Sequence, residues 1–343
     1  MATFPGAQTL RWRLRGLLNL LPARVSTLAL DSKGQHGNNN SPRIAYFFTG
    51  TFGDFVQVLR PLNCLATAFP GGEIVLIGGE RYVSEFASEL PLNLRTARSF
   101  ELWNRFLHRW DLVFTNAVGV YRVRFDYAAR FCAHNAFGFR HAHETKRGGY
   151  TATIALLPAV RSFAEENLRV LELAGLPALS SAVAARFAEP IAGTIKPKEP
   201  WGKGAILFHI GSAGLKSDFG LKPYTELVLG ILRRLKGRPV VVIRGPGDED
   251  IAHEVSTGTA HVPQMYPLAR LIKQLRNFEG TVLCFNSFLA HLCHYLGRPA
   301  IVIHRQAVPY GYDCSPLLRQ VVLKQEKDWD LAEVWEALEL KIR

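Results

Sequence analysis

Cysteine is scarce and scattered. The 343-residue sequence holds five, Cys64, Cys132, Cys284, Cys293 and Cys314, with no C-x-x-C pair among them. An odd number without paired spacing argues against a disulfide framework or a zinc site and for a reducing compartment. Long apolar runs are missing too, and none reaches the length of a membrane span. The first residues lack an apolar region followed by a small-residue cleavage site, so no secretory signal is expected. Cytoplasmic placement is the expectation. Neither the G-x-G-x-x-G dinucleotide fingerprint nor a P-loop with Gly-Lys-Ser/Thr occurs, and there is no H-E-x-x-H. Zinc-finger spacing, basic-region heptads and an RNA-recognition aromatic motif are also absent, which makes nucleic acid the weaker anionic partner.

Acidic residues are the other shortage. Lys and Arg number 41 against 29 Asp and Glu, a formal net charge of +12. That balance favours anionic partners such as phosphates or an acidic membrane surface. The 48% hydrophobic and 20% charged content is that of a globular chain, long enough for two domains. One concentration of basic charge lies in residues 8–24, where Arg11, Arg13, Arg15 and Arg24 alternate with Trp12 and several leucines. Such a segment can lie on an anionic membrane surface, pack on the protein's own body, or be a frayed end. Residues 32–42 are polar and turn-rich and read as a linker.

Residues 281–305, TVLCFNSFLAHLCHYLGRPAIVIHR, give the organising pattern. A buried strand over 281–285 is followed by Asn286 and Ser287, residue types that cap helices. Leu289, Leu292, Cys293 and Leu296 then recur at helical spacing, Gly297 stops the helix, and 300–303 is a second strand. Ligands bind at the carboxyl ends of strands in open parallel sheets, and a helix N-terminus there suits phosphate. An ordinary capped helix is the alternative.

Strands are also predicted over 43–48, 73–77, 110–116, 205–210 and 239–243, with helical stretches over 55–68, 80–90, 165–173, 223–235 and 267–275. Alternation of this kind implies parallel sheets covered by helices. Residues 134–149 contain His134, His141 and His143 without metal-ligand spacing, and read as an exposed polar loop. Residues 189–204, rich in Pro and Gly, mark a boundary. The expected domains are thus a basic N-terminal segment and linker at 1–42, a first domain at 43–188, the linker at 189–204, and a second domain at 205–343.

Candidate chemistry sits after the strands. Asp54 follows the first, where a carboxylate serves as a general base or caps a helix. Ser212, Lys216 and Lys222 surround the small-residue loop after the strand at 205–210, a candidate phosphate site or a solvated loop. Asp248 and Glu249 follow the strand at 239–243, where an acidic residue can bind ribose hydroxyls or cap a helix.

Three segments in order, GTFGDFVQVLRPL, HIGSAGLKSDFGLKP and NSFLAHLCHYLGRP, resemble glycosyltransferase family nine, the ADP-heptose:lipopolysaccharide heptosyltransferases. WDLVFTN followed by NAFGFR is similar to the family's strand and Gly-Phe turn, and the resemblance covers roughly residues 43–340. It implies an α/β chain of GT-B architecture, two Rossmann-like domains with parallel sheets facing across a cleft. The first domain would take the acceptor and the second the nucleotide-sugar donor. Asp54 matches the family's general base. Ser212 with Lys216, or less closely Lys222, matches the diphosphate loop, and Glu249 or Asp248 the ribose-binding acid. Asn286, Ser287, Phe288 and His291 fall where backbone N–H groups hold the phosphates. The implied reaction is an inverting, metal-independent transfer with no cofactor beyond the donor. The acceptor would be a glycan; a lipid-linked one would bring the cytoplasmic protein to the inner face of the cytoplasmic membrane, with residues 8–24 as its contact. Asn286-Ser287-Phe288 stands where the family has Asp-Ser-Gly, which marks a divergent member. Two other readings remain: the same fold acting on a protein or soluble metabolite, and a non-catalytic sugar-nucleotide-binding scaffold.

Overall fold

The computed structural model describes residues 41–97, 110–118, 133–141, 150–156, 163–176, 201–202, 204–304, 318–323 and 331–342. They divide into two compact units, one within 1–186 and the other within 187–343. In the first unit, β1 (Arg43–Phe47), β2 (Glu73–Ile77), β3 (Leu94–Ala97), β4 (Trp110–Thr115), β5 (Ala133–His141) and β6 (Ala152–Leu156) form one sheet in the order β3-β2-β1-β4-β5-β6. Every pairing is parallel. Its helices are α1 (Phe52–Val56), α2 (Leu59–Ala68), α3 (Glu80–Val83) and α4 (Phe163–Glu172). In the second unit, β7 (Ile206–His209), β8 (Val240–Ile243), β9 (Thr281–Phe285), β10 (Ala300–His304) and β11 (Leu318–Val322) run parallel in the order β11-β10-β9-β7-β8. The helices here are α5 (Ala213–Phe219), α6 (Leu221–Arg234), α7 (Glu249–Gly258), α8 (Leu268–Arg276), α9 (Phe288–Tyr295) and α10 (Ala332–Ile342).

Parallel neighbours need a crossover, and helices on the sheet faces bury both sides of the central strands. Every residue of β9 and β10 is accordingly buried. Tyr224, Val228 and Ile231 of α6 and Val334 and Leu338 of α10 complete that core against Phe208 and Phe285. The strand orders have one consequence for function. From β1 the chain moves outward to β2 and β3, then returns to the other side of β1 as β4. From β7 it goes to β8 and returns beside β7 as β9. At β1/β4 and at β7/β9 the following segments part in opposite directions, which opens a crevice at the carboxyl ends of the strands.

Four expectations need correction. Residues 133–141 are a strand, not an exposed loop. His134 and Arg140 lie near its ends, while residues 135–139 are buried. His143 falls outside the described residues, as do residues 8–24 and nearly all of the 189–204 linker. The stretch 55–68 is two helices that break at Gln57 and Val58. The break places Pro61 in the first turn of α2, where its missing N–H has no intrahelical acceptor to lose. Residues 80–90 form only the short α3 and a 3-10 turn at Ala87–Glu89; the bend between them seats Phe86 against Phe52 and Phe55, with centroids 5.2 Å and 5.4 Å away. The helix expected over 223–235 starts at Leu221 and follows the separate α5, with Gly220 between them at φ 84° and ψ 159°. That left-handed φ suits glycine.

Gly138 in β5 shows how tightly the first sheet is covered. A Cβ there would lie 2.4 Å from Tyr150 Cε1 and 2.8 Å from Thr115 Oγ1. Gly138→Ala should therefore destabilise the protein by about 1–3 kcal/mol, the usual cost of overpacking. Chemical denaturation checks this, and an unchanged midpoint would contradict it.

Candidate active site

In the second unit the segments after β7, β8 and β9 are bonded to one another by side chains. Ser212 takes an extended conformation as the N-cap of α5, and its hydroxyl accepts from Leu215 N–H at 3.3 Å. The same hydroxyl donates to the Asn286 carbonyl at 3.1 Å, across the β7/β9 switch point. His209 Nδ1 lies 3.1 Å from Ser287 Oγ, a second bond across it. Ser287 stands at the N-cap position of α9 but makes no side-chain cap, so the capping role expected from its residue type gives way to the imidazole. Phe288 sets its ring edge-on to His209, with centroids 5.4 Å apart. His291 follows one turn into α9; burial pushes its pKa down to about 3, and the neighbouring His294 and His304 add to the shift.

Lys216 reaches back from α5 to the segment after β8. Its ammonium donates to the Gly247 carbonyl at 3.0 Å and makes a short ion pair with Asp248. Asp248 is buried, and its Oδ2 also accepts from Gly245 N–H at 2.8 Å. Gly211 leaves room for that carboxylate, since a Cβ there would come within 2.2 Å of Asp248 Oδ2. The two acids thus separate in role. Asp248 is consumed by internal bonds, while Glu249 is exposed and pairs with Arg244 at 2.8 Å. Its own backbone N–H, then Arg244, hold the Glu249 carboxyl below the usual range. The two lysines separate likewise: Lys222 is exposed in the first turn of α6, and only Lys216 is engaged with Asp248.

His209 carried no role in the sequence reading. It is 2% exposed, and among the described residues its Nε2 has no hydrogen-bond partner. Burial pushes its pKa down to about 4 and the nearby Lys216 charge acts the same way, against an opposing pull from Asp248. A neutral imidazole at the centre of the switch point can orient the Ser287 hydroxyl without adding charge. Its buried position could be read from HIGS, where it ends an apolar strand, but its partner could not.

In the first unit Asp54 is the third residue of α1. The helix follows the loop after β1. Both Thr51 N–H, at 2.7 Å, and Thr51 Oγ1, at 2.9 Å, donate to Asp54 Oδ2. The N-cap alternative is thereby refined: Thr51 holds the cap position and Asp54 grips it from inside the first turn. Burial raises the Asp54 pKa, partly offset by the two Thr51 bonds. Among the described residues no group of three or more His, Cys, Asp or Glu side chains is arranged to hold a metal ion.

No protein-family model matches the sequence, and no curated protein matches it. Solved structures do match. One is a family 9 glycosyl transferase from Veillonella parvula, 17% identical, covering 89% of this chain and 99% of its own at a TM-score of 0.57. Another is the E. coli ADP-heptose lps heptosyltransferase II, 14% identical over 88% of this chain and 98% of its own, at 0.55. A third is a putative UDP-N-acetylglucosamine 2-epimerase from Listeria monocytogenes, 12% identical over 88% of each chain, at 0.51. The chain has the two-sheet α/β fold of GT-B glycosyltransferase structures. That fold also carries an epimerase name, so function is argued from the site.

The depressed His209 pKa has a measurable consequence. An unfolded histidine titrates near 6.5. Between that value and about 4 the unfolded chain binds a proton at this position that the folded chain does not. The stability that His209 contributes is complete above about pH 6.5 and is lost as pH falls toward the folded value. His291 slopes the same way. The fall in urea midpoint from pH 7 to pH 5 should therefore shrink, without vanishing, in His209→Gln; an identical fall in both proteins would contradict the assignment.

Proposed function

We propose that the chain is a glycosyltransferase that moves a sugar from a nucleoside-diphosphate donor to an acceptor hydroxyl. The observation that carries this is the cross-bonded β7/β9 switch point. Ser212 and Ser287 there flank the place where strand ends and helix N-termini favour phosphate, and Lys216, in the helix that Ser212 caps, holds an ammonium against the segment after β8. In the proposed step Asp54 takes the proton from the acceptor hydroxyl, whose oxygen bonds to the anomeric carbon with inversion. The bond to the diphosphate breaks, and its electrons leave with the nucleoside diphosphate. Lys216 and the amides at the starts of α5 and α9 stabilise the departing charge. The raised pKa of Asp54 supports its part, because a base works best with a pKa nearer the operating pH. Glu249 is the carboxylate accessible to a ribose.

The donor is proposed to be ADP-linked, with heptose as the first candidate, given the ADP-heptose enzyme that shares the fold. The acceptor is proposed to be lipopolysaccharide or another bacterial surface glycan. Residues 8–24 would hold the protein on an anionic leaflet. No helix among the described residues is long and apolar enough to cross a membrane. The proposal needs no metal or cofactor beyond the donor. A binding protein without catalysis is the second reading. It is favoured by Phe288, which stands where the resembling family has glycine and packs on His209.

A thermal-shift panel of ADP, UDP, GDP and their sugars tests the donor site, since a ligand of the folded state raises its melting temperature. One nucleoside diphosphate should stabilise the protein, with the shift lost in Lys216→Ala and kept in Asp54→Asn. No response to any nucleotide would overturn the reading. Binding that persists in every assay without transfer to glycan acceptors would favour the non-catalytic protein.

A further inference from the structure

Asp54 rides on a segment that cannot hold itself. α1 is only five residues long, and helices so short do not persist on their own hydrogen bonds. The loop before it passes through Gly50 at φ 142°, where a Cβ would sit 2.6 Å from Asp54 Oδ2. Two buried asparagines from distant parts of the chain grip this segment. Asn116, fully buried just beyond β4, uses both halves of its amide on one residue: Oδ1 accepts from Thr49 N–H at 3.2 Å and Nδ2 donates to the Thr49 carbonyl at 2.8 Å. Asn167, buried in α4, accepts from Ala117 N–H at 2.6 Å and donates to the Gln57 carbonyl at 3.5 Å, the longest of the four contacts. The bonds to Thr49 and Gln57 span 67 and 110 residues of sequence.

We infer that Asn116 and Asn167 are positioning residues for Asp54, clamping residues 49–57 at both ends so that its carboxyl stays on the β1/β4 switch point. The inference rests on the reading of Asp54 as the base of glycosyl transfer. Asn116 acts through a short chain of bonds: it fixes Thr49, two residues before Thr51, whose N–H and hydroxyl hold Asp54 Oδ2. Neither asparagine touches a reacting atom in the proposed step. A purely structural pair would tie strand to helix anywhere along the sheet, whereas these bonds fall on the backbone on either side of one carboxylate. Among the described residues, burial raises the pKa of that carboxyl and the two Thr51 bonds oppose the rise, so loosening the clamp should register as hydration of Asp54.

Asn116→Ser and Asn167→Ser in the full chain test this through two readouts that need no substrate. Amide exchange should quicken by at least about tenfold at residues 49–51 in Asn116→Ser and leave β2 and β9 at wild-type rates. The Asp54 carboxyl, labelled with carbon-13 and assigned with Asp54→Asn, should titrate at a lower midpoint in the variant than in the wild type. Where transfer from ADP-heptose is measured, kcat should fall while the KM for the donor holds. Exchange that rises evenly across the first sheet, or an unmoved Asp54 midpoint, would overturn the inference. If Asn116→Ser does not fold, Asn167→Ser gives the same readouts from the other end of the segment. A wild-type protein without transfer activity would sink the catalytic reading of Asp54, while these two measurements still decide whether the clamp exists.

Discussion

Parallel strands that send their chains to opposite faces leave backbone groups at their carboxyl ends with no ladder to join. Buried polar groups must be paired, so side chains have to complete the hydrogen bonding there. In the first unit the Asn116 amide closes on Thr49; in the second Ser212 closes on the Asn286 carbonyl and His209 on Ser287. Ser212 and Ser287 are held directly by these closures and Asp54 is reached through Thr49 and Thr51, while Glu249 is held by Arg244 instead. The need to satisfy polar groups at a switch point is therefore also what arranges a site there, and the two halves meet it with different residues.

The second unit concentrates its charge close to its closure. Lys216 and Asp248 neutralise each other beside a buried, neutral imidazole. An ion pair of this kind costs desolvation that attraction only partly repays, so it is weak evidence for stability. In the proposed function it keeps an ammonium in reserve for the donor's diphosphate. Glu249, outside the pair and exposed, stays available to a polar ligand.

Most of the sheet was legible because central parallel strands are continuous apolar runs; β2 carries the bounds expected from its residues, and β4, β8 and β10 differ by one residue at an end. β5 was not legible. Histidines and an arginine near its ends outweighed the buried Asn135–Phe139 centre, which only its neighbours on the sheet reveal. The helix break at Val58 escaped because local periodicity continues through it, and α5 escaped because the small residues Gly211, Ser212, Ala213 and Gly214 read as a loop. For the site, residue type and order singled out Asp54, Ser212 and Lys216. Choosing Lys216 over Lys222 as Asp248's partner, and separating Glu249 from Asp248, needed the fold. Asn116, Asn167 and His209 were silent in the sequence because their partners lie between 50 and 110 residues away.

The most direct test is a crystal structure of the protein soaked with ADP at saturating concentration. The diphosphate is expected between the segments after β7 and β9, against Ser212 and the start of α9, with the Lys216 ammonium on a phosphate oxygen and Glu249 toward the ribose. Density for ADP at another place, or an unchanged Ser212–Asn286 crevice in crystals where the nucleotide has bound elsewhere, would contradict a donor site at the switch point.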